Sequence, residues 1–344
     1  MINCKWGSEM KKGGTGKVFS ILAILLSGVL WGVISVFIRP LSAAGLSATQ
    51  ICFVRLLIAA PVFSLVTLCV SPSLFRIRLR DIWMFLGTGI VSIVLFNICY
   101  FYTIIHSEAS VAVVLLYTSP VFVMLVAVFL FKEKVRAQKI VALVMTLVGC
   151  LLVSGVIGSG AGLRPIVALT GLLSGLFYAM YSVFGKLALK KYDTLTLTTY
   201  TFLFAFIGAL PFSDVSSTFA ILIASPKLWW WCAGIGIFST ALPFFFYTVG
   251  LKKVEPSRAS ILAAVEPLVG SLVGIAFYGE SHGILKIIGI VFVVGAIFVL
   301  NLPKREKRVR MPKAADDLVK NAPIAAPQDA PQSDLSQNHP IPHQ

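Results

Sequence analysis

The stretch EASVAVVLLYTSPVFVMLVAVFLFKE, residues 108–133, returns in altered form as EPSRASILAAVEPLVGSLVGIAFYGE, residues 255–280. Each holds about 20 mostly apolar residues, enough for a helix to cross the hydrocarbon core of a bilayer. Both keep the pattern E-x-S-x-A-x-x-L-x-x-x-x-P-x(12)-E. Outward from this pair the match continues without a gap: residues 25–133 align with 172–280 at a constant offset of 147, and 24 of the 109 pairs are identical. LLSG at 25 and 172, SVF at 35 and 182, Gly87 with Gly234, Gly89 with Gly236 and Tyr100 with Tyr247 are among them. Self-similarity of this length is a duplication.

Apolar runs of the same kind recur along the chain. The predicted spans are 18–38, 47–70, 82–105, 109–131, 137–157, 165–186, 194–213, 228–250, 257–278 and 284–302. Five spans per half is an odd number, so the second half enters the membrane in the opposite sense to the first. The fold class expected is therefore an all-α membrane protein of ten transmembrane helices, arranged as two inverted five-helix repeats. Two similar halves of opposite topology make inward-open and outward-open states nearly equal in energy, with a substrate site near the midplane.

Composition agrees. Of 344 residues 58% are hydrophobic and 12% charged, with a mean hydropathy of +0.91, whereas a soluble domain is about a quarter charged. The net charge of +15 would suggest nucleic acid in a soluble protein, but 24 Lys and Arg fall in the termini and alternate loops against four in the other loops. That asymmetry places both termini in the cytoplasm of a multi-pass protein of the inner (plasma) membrane and gives no sign of nucleic acid as a partner. The expected organisation is a cytoplasmic basic N-terminus at 1–17, a first five-helix repeat at 18–157, a second at 165–302, and a disordered cytoplasmic tail at 303–344 whose basic start lies against anionic lipid. The first apolar run reads as a retained span rather than a signal peptide. The six cysteines form no C-x-x-C pair and read as small core hydrophobes, with no disulfide framework and no metal site.

The duplicated E-x-S-x-A…P…E pattern, together with AVEP at 264–267, resembles the EamA-type permeases of the drug/metabolite transporter superfamily over residues 18–302. The resemblance implies a central cavity lined by helices 1, 3, 4, 6, 8 and 9. It also implies secondary transport of amino acids, other metabolites or toxic compounds, commonly coupled to protons.

Two charges sit deep in apolar spans, Arg55 and Glu266, and ionisable groups there are costly enough to be functional candidates. Glu266 either binds a proton or a cationic substrate group, or it stays protonated and braces two helices. Its counterpart in the first half is Ser119, so the carboxylate is asymmetric, as a single coupling site would be. Arg55 is expected at the periphery, snorkelling or bonded to free carbonyls; an ion pair with Glu266 is allowed by depth alone. Pro120 and Pro267, with Pro243, are expected to bend their helices. Trp31, Asn97, Tyr100, Tyr117, Ser119, Tyr178, Tyr181 and Tyr247 are candidates for substrate contact, although Trp and Tyr also populate interface belts. Tyr100 and Tyr247, matched across the repeat, stand out.

A membrane enzyme would need an H-E-x-x-H motif, a His/Asp pair or several carboxylates at one depth, and a channel a charged ring or filter loop. The sequence offers neither. GGTGK at 13–17 lacks the first Gly and the Ser or Thr of a phosphate loop, with Lys11 and Val18 in their places. No cofactor is implied. The expected function is a secondary transporter exporting small amino acid-like or hydrophobic metabolites; efflux of cationic compounds is the alternative, with a non-transporting channel or scaffold behind it.

Overall fold

The computed structural model describes residues 15–107, 109–154, 164–279 and 283–302. The expected basic N-terminus up to residue 14 and the expected disordered tail lie outside them, as do Glu108 and Glu280 of the duplicated pattern. Among the described residues ten helices are long and apolar enough to cross a membrane: α1 Gly16–Ala43, α2 Ala48–Val70, α3 Leu79–His106, α4 Ser110–Phe131, α5 Ala137–Ser154, α6 Pro165–Ala188, α7 Thr194–Phe212, α8 Leu228–Lys253, α9 Pro256–Tyr278 and α10 Ile284–Asn301.

Their ends follow from local chemistry. Ser47 and Gln50 form a reciprocal capping box at the start of α2, and Asp193 accepts from the Leu195 N–H at the start of α7. Lys132 after α4 and Gly279 after α9 both turn left-handed, with φ 52° and 64°; they are repeat-matched, and so each copy ends its fourth helix the same way. Two departures from the sequence reading have physical causes. Helix α1 runs on to Ala43, past its predicted end at 38, and the added turn is packed: Leu41 is fully buried against Phe53 and Leu222, and the Arg39 guanidinium lies 3.6 Å from the centre of the Tyr278 ring. The stretch between α7 and α8, expected as a loop, holds a helix at Val215–Ala224, capped by Asp214, whose Leu222 is buried with Leu41, Phe53 and Ile235.

Packing repeats the duplication contact by contact. A Cβ on Gly28 in α1 would meet the Val265 side chain at 2.4 Å and the Ala263 carbonyl at 2.8 Å in α9, while one on Gly175 in α6 would meet the Thr118 hydroxyl at 2.7 Å and the Leu116 carbonyl at 3.2 Å in α4. All of these are repeat-matched pairs. Gly87 in α3 lies against the Phe184 ring of α6 as Gly234 in α8 lies against the Phe37 ring of α1. Gly89 faces Ala205 of α7 as Gly236 faces Ile58 of α2. Without a hydrophobic force between helices in lipid, such close backbone approach is what holds the bundle. Helices α5 and α10 pair with each other, Gly149 against the Gly289 carbonyl and the reverse.

The helices that surround the centre are not regular. Helix α1 is interrupted at Val33, α4 at Thr118 and α9 at Ala264, the last two just ahead of Pro120 and Pro267, which lack the N–H that would continue the ladder. Helices α3 and α8 widen into π-helical turns at Gly87–Leu95 and Ile237–Ala241. In α8 the widened turn ends just before Pro243.

Candidate functional site

These interruptions surround a cavity of about 360 Å³. It runs from the end where α1 meets α2, at Ser42 and Ala48, past the middle of the bundle to Ser260 in α9. Glu266, Trp31, Asn97, Tyr100, Tyr117, Ser119, Tyr178, Tyr181, Tyr247, Arg55 and Pro120 all line it. Pro267 does not; it acts on the backbone beside Glu266.

The walls are mostly apolar and hold nine aromatic side chains. Trp31 packs on Phe244 and Tyr247 with ring centres 5.1 and 5.6 Å apart, and Tyr181 packs edge-on against Phe244 at 5.0 Å. Across from them Phe96 stacks with Tyr100 and meets Tyr178 edge-on, at 5.6 and 5.3 Å. Hydroxyls on the two sides differ in what they do. Tyr181 is bonded to Thr248 at 2.6 Å and Tyr247 to Ser182 at 2.7 Å, so these two tie α6 to α8. The Tyr117 hydroxyl approaches the Glu266 carboxyl, and the hydroxyls of Tyr100 and Tyr178 take no hydrogen-bond partner among the described residues. Asn97 gives its amide N–H to the Ile93 carbonyl at 2.7 Å, which fixes its orientation on the wall.

Arg55 corrects the expectation of a peripheral helix. Helix α2 presents Ala48, Ile51, Cys52 and Arg55 to the cavity, a set spaced as one helical face, and the cavity is therefore lined by seven spans rather than six. The Arg55 Nε donates to the Thr240 hydroxyl at 3.0 Å, and that hydroxyl donates in turn to the Ile235 carbonyl at 2.8 Å. The π-helical turn of α8 is what places Thr240 there. The guanidinium is thus aimed by one bond, with its terminal amino groups engaged by no described residue. Glu266 and Arg55 act on each other electrostatically across the cavity, but no ion pair within 4.0 Å joins them. The missed face of α2 was in the sequence: Arg55 with an apolar or small residue three, four and seven positions earlier.

At the opposite end from Ser42 polar contacts tie helices of the bundle together. Lys186 caps the Leu251 and Val254 carbonyls at 2.7 and 2.9 Å, and buried Asp81 holds Lys191 and the Tyr192 hydroxyl at 2.6 and 2.7 Å. Lys139, also buried, bonds Glu133 at 2.9 Å, Ser257 at 3.0 Å and Glu255 at 2.7 Å.

Known proteins agree with this architecture. A crystal structure with 17% sequence identity superposes with a TM-score of 0.68 over 82% of this chain and 96% of its own, which establishes the fold. An uncharacterized transporter of Archaeoglobus fulgidus is 32% identical over 282 residues, 80% of this chain and 94% of that protein. The pseudopaline exporter CntI of Pseudomonas aeruginosa is 26% identical over 298 residues, 83% and 99% of the two chains. The uncharacterized inner membrane transporter YicL of Salmonella typhimurium is 24% identical over 302 residues, 86% and 98%. The sequence profile of the EamA-like transporter family matches twice, at residues 18–155 and 165–302. Each match takes in one five-helix copy. With both copies in place around a substrate-sized cavity, the chain is a multi-pass membrane transporter and belongs to the EamA-like transporter family.

Proposed function

We propose that this transporter exports small amino acid-like metabolites, molecules that carry an anionic and an amino group on a compact and partly apolar body, across the inner membrane. One observation carries the reading: Arg55 and Glu266 line the same mainly apolar cavity without pairing with each other. A charged group left unpaired in such surroundings costs free energy, and a ligand of complementary charges recovers it at both ends. The aromatic walls accept the apolar part.

Glu266 also gives a means of coupling. A carboxylate that holds either a proton or the ammonium group of a substrate, but not both at once, exchanges one for the other as the cavity faces each side in turn. The similarity to a protein named as an exporter supports the direction. The Lys and Arg asymmetry supports cytoplasmic termini, with the cavity reaching toward the outer face at Ser42.

A second reading, efflux of cationic compounds, is favoured by the rings of Trp31, Phe96, Tyr100 and Tyr178 around the same space, since aromatic faces attract cations. Arg55 separates the two. Uptake of a labelled metabolite mixture into everted vesicles, with and without an imposed pH gradient, is the test. Gradient-dependent accumulation of an amino acid-like compound that disappears in Glu266→Gln and in Arg55→Met supports the proposal. Accumulation of a cation that persists in Arg55→Met overturns it in favour of the second reading.

A further inference from the structure

We propose that Lys139, held by Glu133, Ser257 and Glu255, is the latch that keeps the cavity closed at the end opposite Ser42. The proposal rests on the alternating-access reading of the cavity and names the contact whose release that reading requires.

The cluster joins the two halves of the molecule at one side chain. Glu133 and Lys139 belong to the first repeat, Ser257 and Glu255 to the second. It lies where the later half of α4 packs against the first half of α9, and both of those helices line the cavity. Ser260, within one helical turn of Ser257, is already a cavity residue. Lys139 is 7% exposed and Ser257 fully buried, and the Ser257 hydroxyl also donates to Glu133 Oε2. Because Ser257 and Glu255 both meet the Lys139 ammonium and Ser257 also bonds Glu133, a swing of the first half of α9 breaks these three bonds together and leaves the Lys139–Glu133 pair on the first repeat. Such a contact switches between two states instead of yielding gradually.

The other ties at this end do not have that position. Lys186 bonds carbonyls of its own half. Asp81 joins α3 to the turn between α6 and α7, and α3 packs against both of those helices along its length. Among the described residues at this end, the Lys139 cluster is the one that stands at the seam between α4 and α9.

Two details fit a contact built to open. The second oxygen of Glu133 is buried without a partner, a cost that a permanent brace would have removed. Burial raises the affinity of Glu255 for a proton, but Lys139, with Arg258 and Lys17, outweighs this and holds its carboxyl below the usual range. Lys139 is the group that Glu133 and Glu255 share, so its replacement removes what joins the two halves at this point. The same residue types recur in the sequence at repeat-matched positions, Glu280, Lys286, Ser110 and Glu108, which marks the quartet as part of the duplicated unit.

The test is accessibility. In the full-length chain with its native cysteines replaced and Ser260→Cys introduced, alkylation by a membrane-impermeant maleimide is timed from each face of sealed vesicles. Lys139→Met is expected to speed labelling from the Lys139 face by about tenfold or more, the factor that loss of one charge-assisted bond corresponds to, while Lys139→Arg stays near the parent rate. An unchanged rate in a variant that keeps the parent thermal transition overturns the latch, as does an equal rise at both faces. Should Lys139→Met lose that transition, Ser257→Ala decides: a rise of about threefold from the same face supports the latch, and no rise overturns it. Labelling needs no substrate, so failure of the substrate assignment leaves this result readable.

Discussion

Gly28 packs against α9 as Gly175 packs against α4, and Gly87 stands beside Phe184 as Gly234 stands beside Phe37. In the cavity the correspondence fails at the charged residues. Arg55 faces it where the second half has Phe202, Glu266 where the first half has Ser119, and Thr240, which aims Arg55, where the first half has Ile93. Contacts between helices decide whether two states of an inverted repeat have similar energies, so both copies keep them. Charges decide what is bound, and a second carboxylate in one small cavity would oppose the first. The molecule therefore has two copies of its scaffold and one copy of its site.

The largest effect is expected from making the site symmetric. Glu266→Ser gives the second half the residue of the first, and transport should fall by about a hundredfold, as when one member of a buried charge pair is removed. Ser119→Ala should change transport by less than about threefold. Flux per mole of protein in the same vesicles, normalised to protein recovered in the folded peak on gel filtration, gives both values. Equal losses in the two variants would mean that Glu266 braces helices and does not bind.

Next comes Arg55. Arg55→Phe, again the residue of the other half, should raise KM by about tenfold or more with a smaller change in kcat, because a binding contact is lost. Thr240→Val keeps the charge but loses its aim, and should raise KM several-fold less than Arg55→Phe does. Initial-rate measurements over a range of substrate concentrations separate the two. If Thr240→Val were as damaging as Arg55→Phe, the aimed guanidinium rather than its charge would set specificity.

Span number, opposite sense and the two charges that line the cavity were legible because each leaves a trace in composition or spacing: twenty apolar residues, an odd number of spans, a charge in an apolar run. The role of α2 was not. Its cavity face consists of Ala48, Ile51 and Cys52 apart from Arg55, residue types that face lipid equally well, and the choice between lipid and cavity is made by which helices pack on either side. The division of labour among the tyrosines was equally hidden. Tyr247 and Tyr100 are matched in sequence, yet Tyr247 is bonded to Ser182 while Tyr100 is left to the cavity. The polar closure at Lys139 depends on residues far apart in the chain, Glu133 and Glu255, whose meeting is a product of the inverted arrangement.

The scaffold should respond evenly where the site responded unevenly. Gly28→Ala and Gly175→Ala each drive a methyl group to within 2.4 and 2.7 Å of the facing helix. Overpacking of this kind costs about 1–3 kcal/mol, and both variants should lower the midpoint of thermal unfolding in detergent by similar amounts. Gly185→Ala, whose added Cβ would stand 3.3 Å from the flexible end of Leu251, should lower it least. A large drop in one of the first pair alone would show that the two copies no longer share one packing scheme.

The smallest effect concerns one more matched pair, Ser35 and Ser182. The Ser182 hydroxyl bonds Tyr247 at 2.7 Å, while the Ser35 oxygen is buried without a hydrogen-bond partner. Removing one member of a bonded buried pair leaves the other unsatisfied, which costs about 1–3 kcal/mol, whereas removing a hydroxyl that has no partner costs little. Ser182→Ala should accordingly lower the unfolding midpoint and Ser35→Ala should leave it within error or raise it slightly. The difference between the two midpoints reads out how unequal the copies are in this conformation. If the Ser35 hydroxyl finds a partner only in the opposite conformation, Ser35→Ala should slow transport while leaving stability unchanged, because it would remove a bond that the other state makes. Flux and melting curves on the same two variants decide between a neutral hydroxyl and one that waits for its partner.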